Sequence, residues 1–304
     1  MERSLMQQGS GTLVVSLPSK WAKKYGLKKG DTIKFDEENG RLILSTEKAI
    51  STMKKEMTLK TTNETAIRWI MALAHKTGYD ELEIFFDNPA IIPMIQKTVV
   101  NELPGYMIIE QSDKRCLVKA VSQALESEYE NTQRRAFLVG LSLAESSLQM
   151  IKEKNYKNLT SLLSLELTNN QLSQFCERIL NKHGYKEPNK TTYAYVVIWN
   201  LEKVVDEYRD ICKKLAEAPN VKLSNETIAM FEKTNNFFKK YYEIFYKKDI
   251  NELANAIAER KKIKHEIYEL MEQKKGIEHY VLLKLSFIHE RVSDFSGSFV
   301  GLMD

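Results

Sequence analysis

Two short segments in the C-terminal half of the chain repeat one arrangement of carboxylates. Glu202 is followed four residues later by Asp206, and Glu290 is followed four residues later by Asp294. Asp210 adds a third carboxylate one turn beyond Asp206. Side chains four apart lie on one face of a helix, so these like charges repel unless a cation lies between them. The spacing therefore indicates a candidate site for a divalent cation with oxygen ligands.

Both segments also have basic neighbours, so a solvated acidic helix face is the alternative to a metal site. Lys203 and Arg209 adjoin the first segment, and His289 and Arg291 adjoin the second. The same arrangement, however, recurs 88 residues later (290 − 202 = 88). Because of this recurrence, we favour the metal site over the solvated face.

The elements that must position these carboxylates are long amphipathic helices. From about residue 126 to 304, apolar residues recur at helical spacing, with breaks around 183–188 and 219. The break at 219 separates two sets of three helices, 126–218 and 219–304, with a carboxylate segment in the third helix of each set. The pattern predicts an internal repeat of two three-helix bundles.

The N-terminal section contains a second candidate site, a basic cluster. The cluster comprises Arg3, Lys20, Lys23, Lys24, Lys28 and Lys29, and no acid interrupts its lysines. Lysines bind DNA through its phosphates, so such binding depends strongly on salt and reads little sequence. Ordinary solubilising charge is the alternative interpretation.

Residues 1–48 contain many turn signals and predict a small β-rich domain. Strands are predicted at 12–17, 32–35 and 42–44, a short helix at 20–25, and a hairpin turn at 38–41. So few residues cannot bury a good core alone. We therefore expect a second chain to complete this domain.

Residues 49–125 change character and predict a small α/β domain. One helix is capped by Asn63 and ended by Gly78, and a second begins at Asn88-Pro89. Strands are predicted at 82–86, 106–109 and 115–121. We identify no phosphate-binding loop or catalytic group here, so the domain is either a dimer-supporting spacer or a sensor of a small ligand.

The composition narrows the class of protein. The 304 residues include 45 basic and 41 acidic side chains, a formal net charge of +4, so clustering is more informative than total charge. Cys116, Cys176 and Cys212 show no paired spacing and indicate reduced thiols. No apolar run approaches the roughly 18 residues of a membrane span, and no signal peptide is evident. We expect a cytoplasmic protein without enzymatic activity, since no catalytic set of Ser, His, Cys and Asp is recognisable.

The N-terminal section resembles the AbrB/SpoVT/MazE swapped-hairpin family. The resemblance rests on residues 9–33, GSGTLVVSLPSKWAKKYGLKKGDTI, with a proline after a strand, a short helix, a glycine stop and a Lys-Gly-Asp turn. It covers most of residues 3–45. It implies that two chains exchange hairpins to form a homodimer, and that basic residues on one face contact DNA.

The helical section, residues 126–304, resembles PhoU, a protein of two three-helix bundles with a Glu/Asp-x-x-x-Asp motif in each last helix. The resemblance implies that Glu202, Asp206, Asp210, Glu290 and Asp294 bind a divalent metal, with Fe, Zn, Mn and Mg as candidates. The second-helix positions, where the family adds carboxylates, are Asn169, Ser173, Arg260 and Lys264. They favour a mononuclear or labile site over a metal cluster.

Together, these features predict a multi-domain chain: a swapped-hairpin domain at 1–48, an α/β domain at 49–125 and a six-helix PhoU-like domain at 126–304. The arrangement resembles archaeal phosphate-uptake regulators. It predicts a homodimeric regulator of phosphate uptake that binds metal and a phosphate-transport or phosphate-signalling protein, without membrane insertion. The alternatives are a DNA-binding transcription factor whose helical half senses metal or ligand, and a dimeric scaffold without metal.

Overall fold

The computed structural model describes residues 2–38, 40–46, 52–121 and 126–303. The chain divides into two compact units, Met1–Met53 and Lys54–Asp304. The sequence pattern placed the first boundary after residue 48, and residues 47–51 lie outside the described ranges. Each unit is described by itself below.

Unit 1 contains two separate hairpins and one short helix. Its elements are β1 (Met6–Gln8), β2 (Thr12–Val14), α1 (Ser19–Lys24), β3 (Lys34–Glu38) and β4 (Arg41–Ser45). The strand predicted at 12–17 ends at Val14, because its antiparallel partner β1 is only three residues long and begins at Met6. The strand predicted at 32–35 begins at Lys34 instead. The hairpin between β3 and β4 is confirmed by their pairing, although Asn39 of its turn lies outside the described residues.

Unit 1 shows no apolar core in the part of it that the structure describes. Within its described residues, Thr46 alone is buried, and no apolar side chain is. The large apolar side chains that are more than 40% exposed are Leu5, Met6, Leu13, Val15, Phe35, Leu42 and Ile43. Burial of apolar surface is the main force that stabilises a folded domain, so two hairpins with exposed apolar side chains are not stable by themselves.

Unit 2 begins with a four-stranded sheet that carries helices on one face. Its strands are β5 (Lys54–Leu59), β6 (Glu81–Phe86), β7 (Tyr106–Gln111) and β8 (Arg115–Ala120), in the order β5-β6-β8-β7. The helices are α2 (Glu64–Thr77) and α3 (Ile92–Glu102). The Asn63 side chain accepts a hydrogen bond from the Ala66 amide, and Gly78 ends α2 in a left-handed conformation (φ = 100°). Both predicted helix ends are therefore confirmed, whereas β5 was not predicted.

The rest of unit 2 is helical. The helices are α4 (Tyr129–Lys152), α5 (Leu163–His183), α6 (Thr191–Ala216), α7 (Asn225–Lys247), α8 (Ile250–Gln273), α9 (Ile277–Asp294) and α10 (Ser296–Gly301). Short 3-10 turns at Glu126–Glu128, Tyr156–Leu162 and Pro188–Lys190 precede α4, α5 and α6. The large helical section is thus confirmed, with one difference: the last predicted helix is broken at Phe295 into α9 and α10.

The two helices that bear the carboxylate segments, α6 and α9, pack against each other. Residues Leu201, Val204 and Tyr208 of α6 and Leu285 of α9 are completely buried in one apolar core that all the long helices share. Because the buried positions repeat every three to four residues, the acidic residues between them are held near the edge of this core. The core therefore fixes where the carboxylates can point.

The α/β layer and the helices form one compact unit because charged side chains join them. Arg178 of α5 is buried; its guanidinium donates to the carbonyls of His75 (3.0 Å) and Tyr79 (2.8 Å) and to the Asp80 carboxylate (2.6 Å). It also lies over the Tyr106 ring, 5.1 Å from its centroid.

Within the described residues, no helix is both long and apolar enough to cross a membrane.

Candidate functional site

The first carboxylate row, Glu202, Asp206 and Asp210 of α6, is partly buried and interleaved with cations of the protein itself. The Lys203 ammonium lies 3.3 Å from the Glu202 carboxylate and 2.9 Å from that of Asp206. The Arg209 guanidinium contacts Asp206 at 2.5 Å and Asp210 at 2.8 Å. The cation that such a row requires is therefore supplied from within the helix.

Two of these contacts extend the first row to neighbouring helices. Arg209 also donates to Glu166 of α5 at 3.1 Å. Lys284 of α9 donates to Asp210 at 2.7 Å and to Glu207 at 2.8 Å. Lys284 is only 15% exposed, so its charge depends on these two carboxylates. The first row thus joins α5, α6 and α9 by ion pairs.

The titration of Asp210 and Lys284 reflects this pairing. Burial alone raises the pKa of Asp210, but hydrogen bonds from Lys284 and Arg209 outweigh it and lower the pKa below the ordinary value. Burial alone lowers the pKa of Lys284, but hydrogen bonds to Asp210 and Glu207 outweigh it and raise the pKa. Each group stabilises the charged form of the other.

In the second carboxylate row, Glu290 and Asp294 of α9, cations come from the preceding helix. The Arg260 guanidinium of α8 lies 3.2 Å from the Glu290 carboxylate, and the Lys264 ammonium forms a second ion pair with it. These cations are 13% and 17% exposed. The Lys264 hydrogen bond, together with the charges of both cations, lowers the pKa of Glu290. Asp294 is half exposed and lies 3.8 Å from Arg291.

His289, which adjoins Glu290 in the sequence, belongs to the core. Its Nε2 lies 3.1 Å from the Thr234 hydroxyl, and its ring packs 4.7 Å from that of Phe237. Burial, reinforced by the charges of Arg260 and Lys264, lowers the pKa of His289 to about 3. The imidazole is therefore neutral at physiological pH.

The predicted metal ligands do not converge on a preformed site. Throughout the described residues, no three side chains of His, Cys, Asp or Glu cluster in a way that could hold a metal ion. At the second-helix positions, Asn169 donates to the Ala136 carbonyl, and Ser173 bonds to Asn169. Arg260 and Lys264 direct positive charge at Glu290. Among the described residues the carboxylates therefore form no preformed site for a divalent ion, and metal binding stays a prediction.

The members of the basic cluster are all exposed. Lys20, Lys23 and Lys24 lie on α1, where spacings of three and four residues bring them to one side of the helix. Lys28 and Lys29 follow in the loop, whose Lys28 amide donates to the Asp31 carboxylate at 2.6 Å. Arg3 precedes β1. The fold thus presents three of the lysines together on one short helix.

Sequence reasoning missed one functional contact, the bridge from Lys284 to α6. Lys284 is 74 residues away from Asp210 in the chain. Lys284 lies six residues before Glu290 on the same helix, and nothing in the local sequence predicts that it pairs with α6. By contrast, Arg209 was recognised as a neighbour of the first row.

The comparisons with known proteins concern the N-terminal section. Residues 6–52 match the family described as antidote-toxin recognition MazE, bacterial antitoxin. No curated protein and no solved structure gave a match to the chain. The AbrB/MazE part of the predicted resemblance is thereby confirmed, while the resemblance to PhoU stays a prediction. Residues 6–52 of this chain are thus similar to domains of the MazE type.

Proposed function

We propose that the protein is a dimeric DNA-binding regulator that holds DNA through its N-terminal module. The observation that carries this proposal is the combination, in one MazE-type module, of an exposed lysine helix and a set of apolar side chains that are about half exposed. The positive charges of the lysine helix can bind DNA phosphates, and the exposed apolar side chains can be buried against a second copy of the module.

The uncovered apolar side chains support dimerisation. A domain of about 50 residues buries too little surface to be stable without a disulfide, a metal or an oligomeric partner. Phe35, Leu42 and Ile43 of the second hairpin are 59%, 58% and 43% exposed. Exchange of such hairpins between two chains buries these side chains in a shared core. A dimer also duplicates the lysine helix, which doubles the number of phosphates within reach.

The chemistry of the cluster supports contact with the DNA backbone more than readout of bases. Lysine is a flexible point charge, whereas bidentate readout of guanine is typical of arginine. Arg3 and Arg41 are the arginines of this section, and both are exposed. Backbone contacts position a protein on a duplex without reading sequence. We therefore expect substantial binding to unrelated duplexes and a modest preference for a target.

Fluorescence anisotropy with a labelled duplex tests the proposal. The triple variant Lys20→Ala/Lys23→Ala/Lys24→Ala is compared with the wild-type chain at low salt. The matched control is Lys157→Ala/Lys261→Ala/Lys262→Ala, which removes three exposed lysines of unit 2. Loss of binding only in the first variant supports the proposal, and equal binding by all three proteins contradicts it.

A second candidate function is regulation of phosphate uptake through a protein partner. The observation that favours it is the repeated placement of Glu-x-x-x-Asp on α6 and α9, the third long helix of each set. That placement is the one on which the resemblance to PhoU rests. Phosphate uptake by cells with and without the gene tests this function. Uptake that is unchanged in the deletion, at both high and low phosphate, would exclude it.

A further inference from the structure

A cleft of about 530 Å³ lies in unit 2, where the α/β layer meets the first long helices. One wall is a single face of the start of α4 and the turn before it, formed by Glu128, Asn131, Thr132 and Arg135. Residues spaced by three, four and seven positions share one side of a helix, so these four side chains lie together. The volume is within the range of roughly 300–1,000 Å³ that is typical of small-molecule sites.

The opposite wall belongs to α5 and is partly apolar. It has the same spacing and consists of Thr168, Gln171, Leu172 and Phe175. Leu172 and Phe175 are half-buried against the helical core. Gln171 donates to the carbonyls of Val100 (3.2 Å) and Asn101 (3.1 Å) of α3, which joins this wall to the α/β layer. The cleft is therefore part of the packed fold and is formed before any ligand arrives.

The two helices run antiparallel along the cleft, so its ends differ. Two contacts give the alignment: Asn169 with the Ala136 carbonyl, and Cys176 with the Tyr129 carbonyl. Arg135 therefore lies at the Thr168 end, whereas Glu128 lies at the apolar Phe175 end. These two charges are seven residues apart (135 − 128 = 7), or about 10 Å along the helix axis. The cleft is thus cationic at one end and acidic at the other.

Arg135 differs from the other arginines of unit 2. Each of the others contacts a carboxylate or a tyrosine of the chain. Within the described residues, the Arg135 guanidinium has no hydrogen bond, ion pair or ring contact. A guanidinium without a partner can bind the oxygens of a carboxylate, sulfonate or phosphate through two parallel hydrogen bonds. The cationic end of the cleft is therefore ready to bind an anionic group.

The size and walls of the cleft limit the ligand further. A lone inorganic anion would leave most of the volume to water, since one water molecule occupies about 30 Å³. The apolar Leu172 and Phe175 contribute to affinity only when they are covered by an apolar body. The ligand that uses both ends therefore combines an anionic group with a flat apolar part.

We propose that this cleft binds a small aromatic anion. Its charged group pairs with Arg135, its rings cover Leu172 and Phe175, and a hydrogen-bond donor at its far end is within reach of Glu128. The bound ligand contacts α4, α5 and the Pro104-Gly105 turn of the α/β layer together. This inference does not rest on DNA binding by the N-terminal module.

Two fluorescent probes that differ by one charge test the site in the full-length chain. Anilinonaphthalene sulfonate carries an anionic group on aromatic rings, and phenylnaphthylamine has the same rings without the sulfonate. Arg135→Gln is expected to raise the dissociation constant of the sulfonate by about tenfold or more, because it removes a charge-assisted hydrogen bond. The same variant is expected to leave the dissociation constant of phenylnaphthylamine unchanged. Arg291→Gln, which removes a partly exposed arginine of α9, is the matched control and should bind both probes as the wild-type chain does.

A second variant shows whether the probes bind in the cleft. Asn131→Trp, checked for native circular dichroism, fills the cleft from an exposed position and is expected to weaken the binding of both probes. Weaker binding of both probes by Asn131→Trp, with a loss confined to the sulfonate in Arg135→Gln, supports the proposal. Equal affinity of the sulfonate for the wild-type chain and Arg135→Gln overturns it. Wild-type affinities in Asn131→Trp, or no binding of the sulfonate by the wild-type chain, overturn it as well.

Discussion

Substitution of Glu290 by glutamine distinguishes an ion-pair cluster from a metal site. It removes the charge that faces Arg260 and Lys264, which are 13% and 17% exposed, while Glu290 itself is 42% exposed. A fully buried cation left without its partner costs about 3–5 kcal/mol, and an exposed pair contributes about 0–1 kcal/mol. For this intermediate case we expect a loss of about 1–2 kcal/mol in the free energy of unfolding.

Thermal unfolding followed by circular dichroism measures this loss. At about 2–4 °C per kcal/mol for a unit of this size, we expect Glu290→Gln to lower the melting temperature by roughly 2–8 °C. Glu243→Gln, which removes an exposed carboxylate of α7, is the control and is expected to leave it unchanged. The measurement is repeated in chelator, in Mn²⁺ and in Zn²⁺.

The dependence on metal decides between the two interpretations. A divalent ion beside Glu290 would be repelled by two largely buried cations, at about 4 kcal/mol for each pair of unit charges roughly 4 Å apart. We therefore expect one melting temperature for the wild-type chain in all three solutions. A ligand at 100 times its dissociation constant stabilises a protein by about 2.7 kcal/mol. A wild-type melting temperature that rises with Mn²⁺ or Zn²⁺, and a Glu290→Gln variant that does not respond, would show that a metal ion binds at Glu290.

Three further predictions concern stability. His75 and His289 are buried and neutral, with pKa values lowered to about 3. Below pH 6.5 the unfolded chain therefore binds more protons than the folded chain. The free energy of unfolding is unaffected by these histidines above pH 6.5 and falls toward pH 3 by about 1.4 kcal/mol per pH unit for each of them. Urea unfolding across this range measures the effect. His289→Gln is expected to reduce the slope of the unfolding free energy against pH by the equivalent of about one proton, and an unchanged slope would exclude the effect. Arg178→Ala leaves the His75 and Tyr79 carbonyls without their donor, whereas Asp80 keeps its ion pair with Lys182. It is expected to cost about 2–4 kcal/mol in urea unfolding, and a loss under about 1 kcal/mol would show that the α/β layer docks without it. Gly78→Ala places a Cβ 3.0 Å from the Lys182 Cβ in a left-handed conformation (φ = 100°) and is expected to lower stability by about 1–2 kcal/mol in the same assay. An unchanged stability would contradict this prediction.

The sequence predicts those parts of the fold that are determined by neighbouring residues. The ends of α2 follow from Asn63 and Gly78, whose hydrogen bonds and backbone angles involve positions a few residues away. The periodicity of apolar residues likewise predicts the long helices, because a buried stripe needs only the helical repeat. The ends of α2 and the position of Glu202 and Glu290 on long helices were therefore accessible from the sequence, whereas the break at Phe295 was not.

Features that depend on distant parts of the chain were not accessible. The strand β5 reads Lys-Lys-Glu-Met-Thr-Leu and has no clear alternation, since it is an edge strand defined by its parallel partner β6. The carboxylate spacing indicates a cation between Asp206 and Asp210, but it does not identify that cation. In the folded chain it is Arg209, with Lys284 approaching from α9. The sequence alone therefore does not distinguish a metal site from an ion-pair network, because the difference depends on how the helices pack.

The salt dependence of DNA binding is the most direct test of the proposed function of the N-terminal module. The logarithm of the binding constant falls with the logarithm of salt concentration by about 0.9 for each phosphate that the protein neutralises. Removal of Lys20, Lys23 and Lys24 from both copies of a dimer deletes six such contacts, so we predict a slope shallower by about 5 than that of the wild-type chain. The Lys157/Lys261/Lys262 alanine control should keep the wild-type slope. Equal slopes for all three proteins, or no measurable binding by the wild-type chain at low salt, would contradict a DNA-binding function for the N-terminal module.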